Sequence, residues 1–183
     1  MDMAVEHTIH KVLSYEFSTC MQANMDFDRA EPNERNRFQL ENARLIVLGH
    51  LRLLQRELLP DTEIGPDLAR RLYHAPFVVL AHDTAPDPVF FYANRSAQEL
   101  FEMTWQEMVR LPSRHSAEPV LREERERLLA CVTRQGFIED YAGIRISATG
   151  KRFRIAKATV WNLTDDDGRT VGQAAAFSDW TRL

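Results

Sequence analysis

Apolar positions along this chain change their period several times, and each change marks an element. From Asn33, the segment NERNRFQLENARLIVLGHLRLLQRELLP is a run of helix formers, with Asn33 placed to cap it and Pro60 to stop it. The pattern predicts a long helix over about 34–59. Leu40, Val47, Leu51, Leu54 and Leu58 follow a heptad-like seam interrupted by Arg44, and Leu45, Ile46, Leu48 and Leu53 widen the apolar surface beyond it. A helix apolar over so much of its circumference needs two partners, and the expected ones are its own sheet and a second copy of the chain. Ahead of it, VEHTIHKVLSYEFSTCMQ predicts a short helix in a loosely attached arm. Behind it, PDTEIGP reads as a linker and DLARRLYHA as a second short helix ended by Pro76.

The remainder switches between strand and helix signals. PFVVLAHD and PVFFYAN are β-rich runs separated by the turn-forming DTAPDP. NRSAQELFEM predicts a helix opened by Asn94, and TWQEMVRL a further turn or two, with Thr104 and Glu107 spaced as a capping box. After the loop LPSRHSAEP comes PVLREERERLLACVTRQG, an amphipathic helix with Val120, Leu121, Leu128, Leu129 and Val132 inward and Gly136 as its stop. FIEDYAGIRIS, KRFRIAKATVWNL and TVGQAAAFSDW then predict three antiparallel strands, joined by SATGK and TDDDGRT, where glycine supplies positive φ. This order predicts an α+β architecture: a five-stranded antiparallel sheet with helices on one face, preceded by a long N-terminal helix. The second face is too apolar for open water, because Ala156, Ala158 and Val160 alternate with Phe153, Ile155 and Trp161, so the N-terminal helix is its expected cover.

The 183 residues suit one core of ordinary size plus an appendage. A net charge of −4 supplies no positive field for phosphates or an anionic membrane, so neither nucleic acid nor membrane is an expected partner. The N-terminus lacks a basic stretch followed by an apolar run, and no apolar run approaches the roughly 20 residues that cross a bilayer. A soluble, cytoplasmic protein is expected. Cys20 and Cys131 lack CxxC or zinc-ligand spacing and read as free thiols, with Arg134 near enough to Cys131 for a redox role to be conceivable.

The order of elements resembles the PAS fold. The strings YANRSAQELFEMTWQEM, LPSRHSAEP, GFIEDYAGIRISATGKRFRIAKATVWNL and GQAAAFSDW resemble the MEKHLA domain, a PAS-related family, in its bacterial stand-alone type. The resemblance spans about Leu72–Leu183, and RLLQREL is similar to the lead-in of the bacterial members. It divides the chain into an N-terminal helical extension, 1–66, and a PAS-like MEKHLA domain, 67–183. It implies a sensory or small-ligand-binding module that signals through protein contacts or dimerisation, since the chain carries no kinase, cyclase or DNA-binding output.

Tyr92, Trp105, Tyr141, Arg154, Trp161 and Gln173 are the candidates for lining a pocket, because aromatic and polar groups together suit a mainly apolar ligand oriented by a few hydrogen bonds. The bland alternative is a solid core in a non-sensing homodimeric interaction module, with Leu40, Val47, Leu51, Leu54 and Leu58 as the contact. No cofactor is assigned. Adduct-forming flavin needs a cysteine in the loop LPSRHSAEP, which has none. Haem needs an axial histidine from the helix that follows, which leaves His115 just before it as the weak candidate. His7, His10, His50, His74, His82 and His115 show no zinc spacing, and Asp165, Asp166 and Asp167 before Gly168 read as turn residues rather than a calcium loop. Ser113, Arg114, His115, Ser116 and Glu118 form the densest polar group, with helix capping and loop fixing as their expected work, and Arg114–Glu118 as a possible pair. A non-enzyme is expected. The enzymatic alternative is a cone-shaped isomerase or dehydratase using Asp83, His82 or Asp140 as base.

Overall fold

The computed structural model describes residues 27–60, 63–117, 131–132 and 135–183. Within them, β1 (Val78–Asp83), β2 (Phe90–Ala93), β3 (Phe137–Ile146), β4 (Arg152–Thr164) and β5 (Thr170–Phe177) form an antiparallel sheet in the order β2-β1-β5-β4-β3. A short β6 (Asp179–Arg182) prolongs the lane of β5 along β4: Ala176 stands opposite Thr159, and Asp179 opposite Ala156. The helices are α1 (Leu40–Leu54), α2 (Pro66–Tyr73), α3 (Arg95–Phe101) and α4 (Trp105–Met108). The expected α+β, PAS-like architecture is present, with the N-terminal helix covering the second face of the sheet.

α1 is shorter than the apolar pattern predicts, and the cause is local. Asn33 caps only one turn of 3-10 helix, Glu34–Asn36. Arg37, Phe38 and Gln39 then take φ of 52°, 53° and 55°, a left-handed stretch that no α-helix can contain. That turn buries Phe38, and it lets the Gln39 amide donate to the carbonyls of Asp28, at 2.8 Å, and Ala30. At the other end Gln55 adopts φ 55° and its N–H closes on the Leu51 carbonyl, so the helix stops before Pro60 is reached.

Each face of the sheet has its own core. On one, Ile46 and Val47 of α1 and Leu68 and Leu72 of α2 pack with Val79, Trp161 and Leu163. The Trp161 indole donates to the Ile46 carbonyl at 3.1 Å, and it passes so close to Gly49 that a Cβ there would lie 3.3 Å from the ring. On the other face, Ala97, Phe101 and Met108 cover Val78, Leu80, Phe153 and Ile155. Asn94, fully buried, caps α3 through Ala97 N–H at 3.0 Å, accepts from Val79 N–H at 3.0 Å and donates to the Phe77 carbonyl at 2.7 Å. The capping box of Thr104 and Glu107 forms as expected.

Two bulges control what the sheet presents. Asp140 (φ 57°) and Lys157 (φ 51°) each add a residue to one strand of the β3–β4 ladder, on either side of the Tyr141–Ala158 pair. Because side chains alternate with period two, the extra residue at Lys157 reverses the parity of β4. Phe153, Ile155, Ala158 and Val160 therefore share one face, and Trp161 and Leu163 turn to the other. Uninterrupted alternation had placed Ala158 and Val160 opposite Phe153 and Ile155; the bulge corrects that assignment. The arm helix, Cys20, His7, His10 and most of the helix expected between Pro119 and Gly136, with Val120, Leu121, Leu128 and Leu129, lie outside the described residues, as do Glu118 and Arg134.

Candidate functional site

On the face carrying α3 and α4, the sheet leaves a cavity of about 210 Å³. Its floor is built in register across the sheet: Leu80 and His82 of β1 stand opposite Ala175 and Gln173 of β5, and Ala175 stands opposite Val160 of β4. Ile138, Tyr141 and Arg145 of β3 line one side, and Phe90, Phe177 and Val132 supply further apolar wall. Ser113, Ser116 and Ala117 form a rim, held to β3 by an isolated bridge between Ala117 and Arg145.

The polar groups in this apolar shell are few and individually held. The Arg145 guanidinium donates to the Tyr141 hydroxyl at 3.1 Å and to the Ile144 carbonyl at 3.1 Å, and its central carbon lies 5.3 Å from the Tyr141 ring centroid. Gly143, between them on β3, makes this possible: a Cβ there would stand 2.7 Å from the Tyr141 hydroxyl and 3.1 Å from Arg145 Nη1. Gln173 donates to Asn162 Oδ1 at 3.1 Å, and Asn162 donates to the Val132 carbonyl at 3.3 Å. His82 Nδ1 lies 2.8 Å from the Asp83 carbonyl, and burial pushes the pKa of this imidazole down, so the ring is neutral near pH 7. Ser116 donates to the Ser113 carbonyl at 2.8 Å. Outside the rim, Arg114 forks onto Asp87 at 2.9 and 3.0 Å, a pairing that raises the arginine pKa and lowers that of the carboxylate.

The residues singled out from the sequence separate between the two faces. Tyr141 and Gln173 line the cavity. Tyr92, Trp105 and Trp161 belong to the core beneath α1 and α2, where Trp105 donates to the Arg29 carbonyl at 2.8 Å and the Tyr92 hydroxyl has no partner among the described residues. Arg154 is exposed on β4. Along α1, Leu40, Val47 and Leu51 are buried in the chain's own core, and Leu54 is half-buried, as is Leu58 beyond it. His115 is exposed in the 3-10 turn Ser113–Ser116. Of the three candidate bases, His82 alone lines the cavity. Asp83 pairs with Arg29 at 2.6 Å and accepts from Val89 N–H at 3.0 Å, while Asp140 is exposed on its bulge. Arg145 was not singled out, although its two-residue spacing from Gly143 and four-residue spacing from Tyr141 put it on their face of the strand.

Among the described residues, no three His, Cys, Asp or Glu side chains gather as metal ligands, and no helix is long and apolar enough to cross a membrane.

Among solved structures, the PAS domain of a protein from Colwellia psychrerythraea is similar over 62% of this chain and 93% of its own length, with a TM-score of 0.54 at 13% identity. The dark structure of the blue-light photoreceptor Aureochrome1 LOV matches over 67% of this chain and 88% of its own, with a TM-score of 0.50 at 18% identity. An RNA-binding light-oxygen-voltage receptor gives 0.55 at 19% identity, over 67% of this chain and 35% of that one. At such identities the likeness is one of fold. No curated protein sequence matches the chain. The MEKHLA domain description matches residues 40–182, a span that takes in α1 together with the whole sheet, and the chain therefore belongs to the MEKHLA domain family, built on a PAS-like fold.

Proposed function

We propose that this chain is a PAS-like sensory module that binds a small, mainly apolar molecule between the sheet and the Ser113–Ala117 rim and passes its occupancy on by protein contact. The observation that carries this reading is the cavity of about 210 Å³ floored by small side chains, Ala158 and Ala175, at positions where larger ones would make the core solid. A void of this size is larger than the roughly 150 Å³ that suffices to hold benzene, so it accommodates a substituted ring or a compact branched molecule. Apolar walls with a few placed polar groups are the general composition of such sites. Output by contact is supported at β6, where Trp180 is 42% exposed and stands opposite Ile155, itself part of the cavity wall. A second copy of the chain and a different protein are both admitted there, and light scattering of the full chain with and without ligand separates them.

The test is to fill the void. Ala175→Phe should abolish binding of benzyl alcohol, followed by chemical-shift titration of the full chain, while leaving the unfolding transition cooperative. Unchanged affinity in a folded Ala175→Phe protein would sink the reading.

A further inference from the structure

We infer that the cavity is built for a small organic monoanion, a carboxylate on a compact apolar body, whose charged end docks on Arg145 beside the Tyr141 hydroxyl. This rests on the ligand-binding reading above and adds the chemical class of the ligand. A guanidinium offers five N–H donors. Arg145 uses its two contacts on neutral oxygens, those of Tyr141 and Ile144, and among the described residues no carboxylate lies within ion-pair distance of it. Arg29, Arg56 and Arg114 all have such a partner, Asp83, Glu139 and Asp87. An arginine half-buried beside an apolar wall with donors left over is a site for a carboxylate, whose two oxygens match the planar fork. Tyr141 holds the guanidinium from its ring and its hydroxyl, so little side-chain freedom remains to be lost when an anion arrives.

The charge and the size of the ligand follow from the rest of the lining. Arg145 is the only arginine or lysine among the described residues of the wall, and His82 is kept neutral by burial, so one negative charge is balanced and the second charge of a phosphate is not. Ile138, Ile155, Val160 and Phe177 face the remainder of the void and favour an apolar body. Gly143 keeps the docking position clear, because any larger residue displaces the Tyr141–Arg145 pair.

Calorimetric titration of the full chain with benzoate and with its uncharged isostere benzamide tests this. Benzoate should bind at least about 10-fold more tightly, the range of a charge-assisted hydrogen bond. Arg145→Gln should weaken benzoate by about 10-fold or more and benzamide by much less, so that the preference collapses, and Arg145→Lys should keep part of it. Gly143→Ala, at a residue with no positive φ, should weaken benzoate several-fold more than benzamide with the fold intact. Equal affinity for the two probes in the unaltered protein, or an undiminished preference in a folded Arg145→Gln protein, overturns the monoanion inference alone. Failure of both probes to bind at millimolar concentration overturns the ligand-binding reading and this inference together.

Discussion

A chain beginning at Pro66 would retain α2 and every strand but would leave the sheet face under α1 open to water. The consequence can be worked from the residues that stay behind. Trp161 and Leu163 have no exposed surface in the intact protein, and both belong to the core that α1 closes. Burying a large apolar side chain stabilises by about 1.5–3 kcal/mol, so uncovering these two costs about 3–6 kcal/mol. The indole N–H loses the Ile46 carbonyl, worth about 1 kcal/mol net. Deleting α1 removes both the entropy cost of ordering it and the burial of its own Ile46, Val47 and Leu51, two large and opposing contributions, so the loss is worked from the residues that remain. A loss of about 4–7 kcal/mol falls within the whole stability of a typical domain, about 5–15 kcal/mol. Urea unfolding followed by far-UV circular dichroism should show the shortened chain without a cooperative transition, or with one at much lower urea. If its unfolding free energy stays within about 2 kcal/mol of the full chain, α1 is an accessory and Trp161 and Leu163 do not depend on it for their burial.

Two further outcomes depend on pH. Glu102 ends α3 in a left-handed conformation and accepts from Lys151, Thr149 and Ser147, and these contacts, the Lys151 ammonium first, lower its pKa from 4.5 to about 2. The folded value lies below the unfolded one, so this contribution is whole above pH 4.5 and is lost as pH falls toward 2; Glu102→Gln should flatten that part of the urea-midpoint profile. His50 is buried against Trp161, with ring centroids 5.0 Å apart, and burial lowers its pKa despite the hydrogen bond to the Arg56 carbonyl. Below pH 6.5 the unfolded chain takes up a proton that the folded ring resists, so the melting temperature should fall from pH 7.5 to 5.5, and less so in His50→Asn; identical slopes would remove His50 from the explanation.

What the linear chain determined by itself was the five strands β1 to β5, the two hairpin turns at Gly150 and Gly168, the caps at Asn94 and Thr104, and the need of the apolar helix for a sheet to cover; the separate strand β6 was not among its signals. These follow from short-range sterics, local hydrogen bonds and periodicity, all of which are written in neighbouring residues. Tertiary structure decided which side chains meet. The bulge at Lys157 sent Trp161 to the face under α1 and left Ala158 and Val160 in the cavity floor, and β-bulges carry no strong residue signature away from glycine. Aromatic character suggested Tyr92, Trp105 and Trp161 as pocket residues, yet large rings fill solid cores as readily as they line voids, and only the packing separates the two. The void itself arises where Val160 of β4 stands opposite Ala175 of β5 and Ala175 in turn opposite Leu80 of β1, a register that no single strand contains. Arg145 stands beside Tyr141 through spacing within β3, but it lines an apolar cavity only once β1, β4 and β5 are assembled next to that strand, with no carboxylate among the described residues at ion-pair distance.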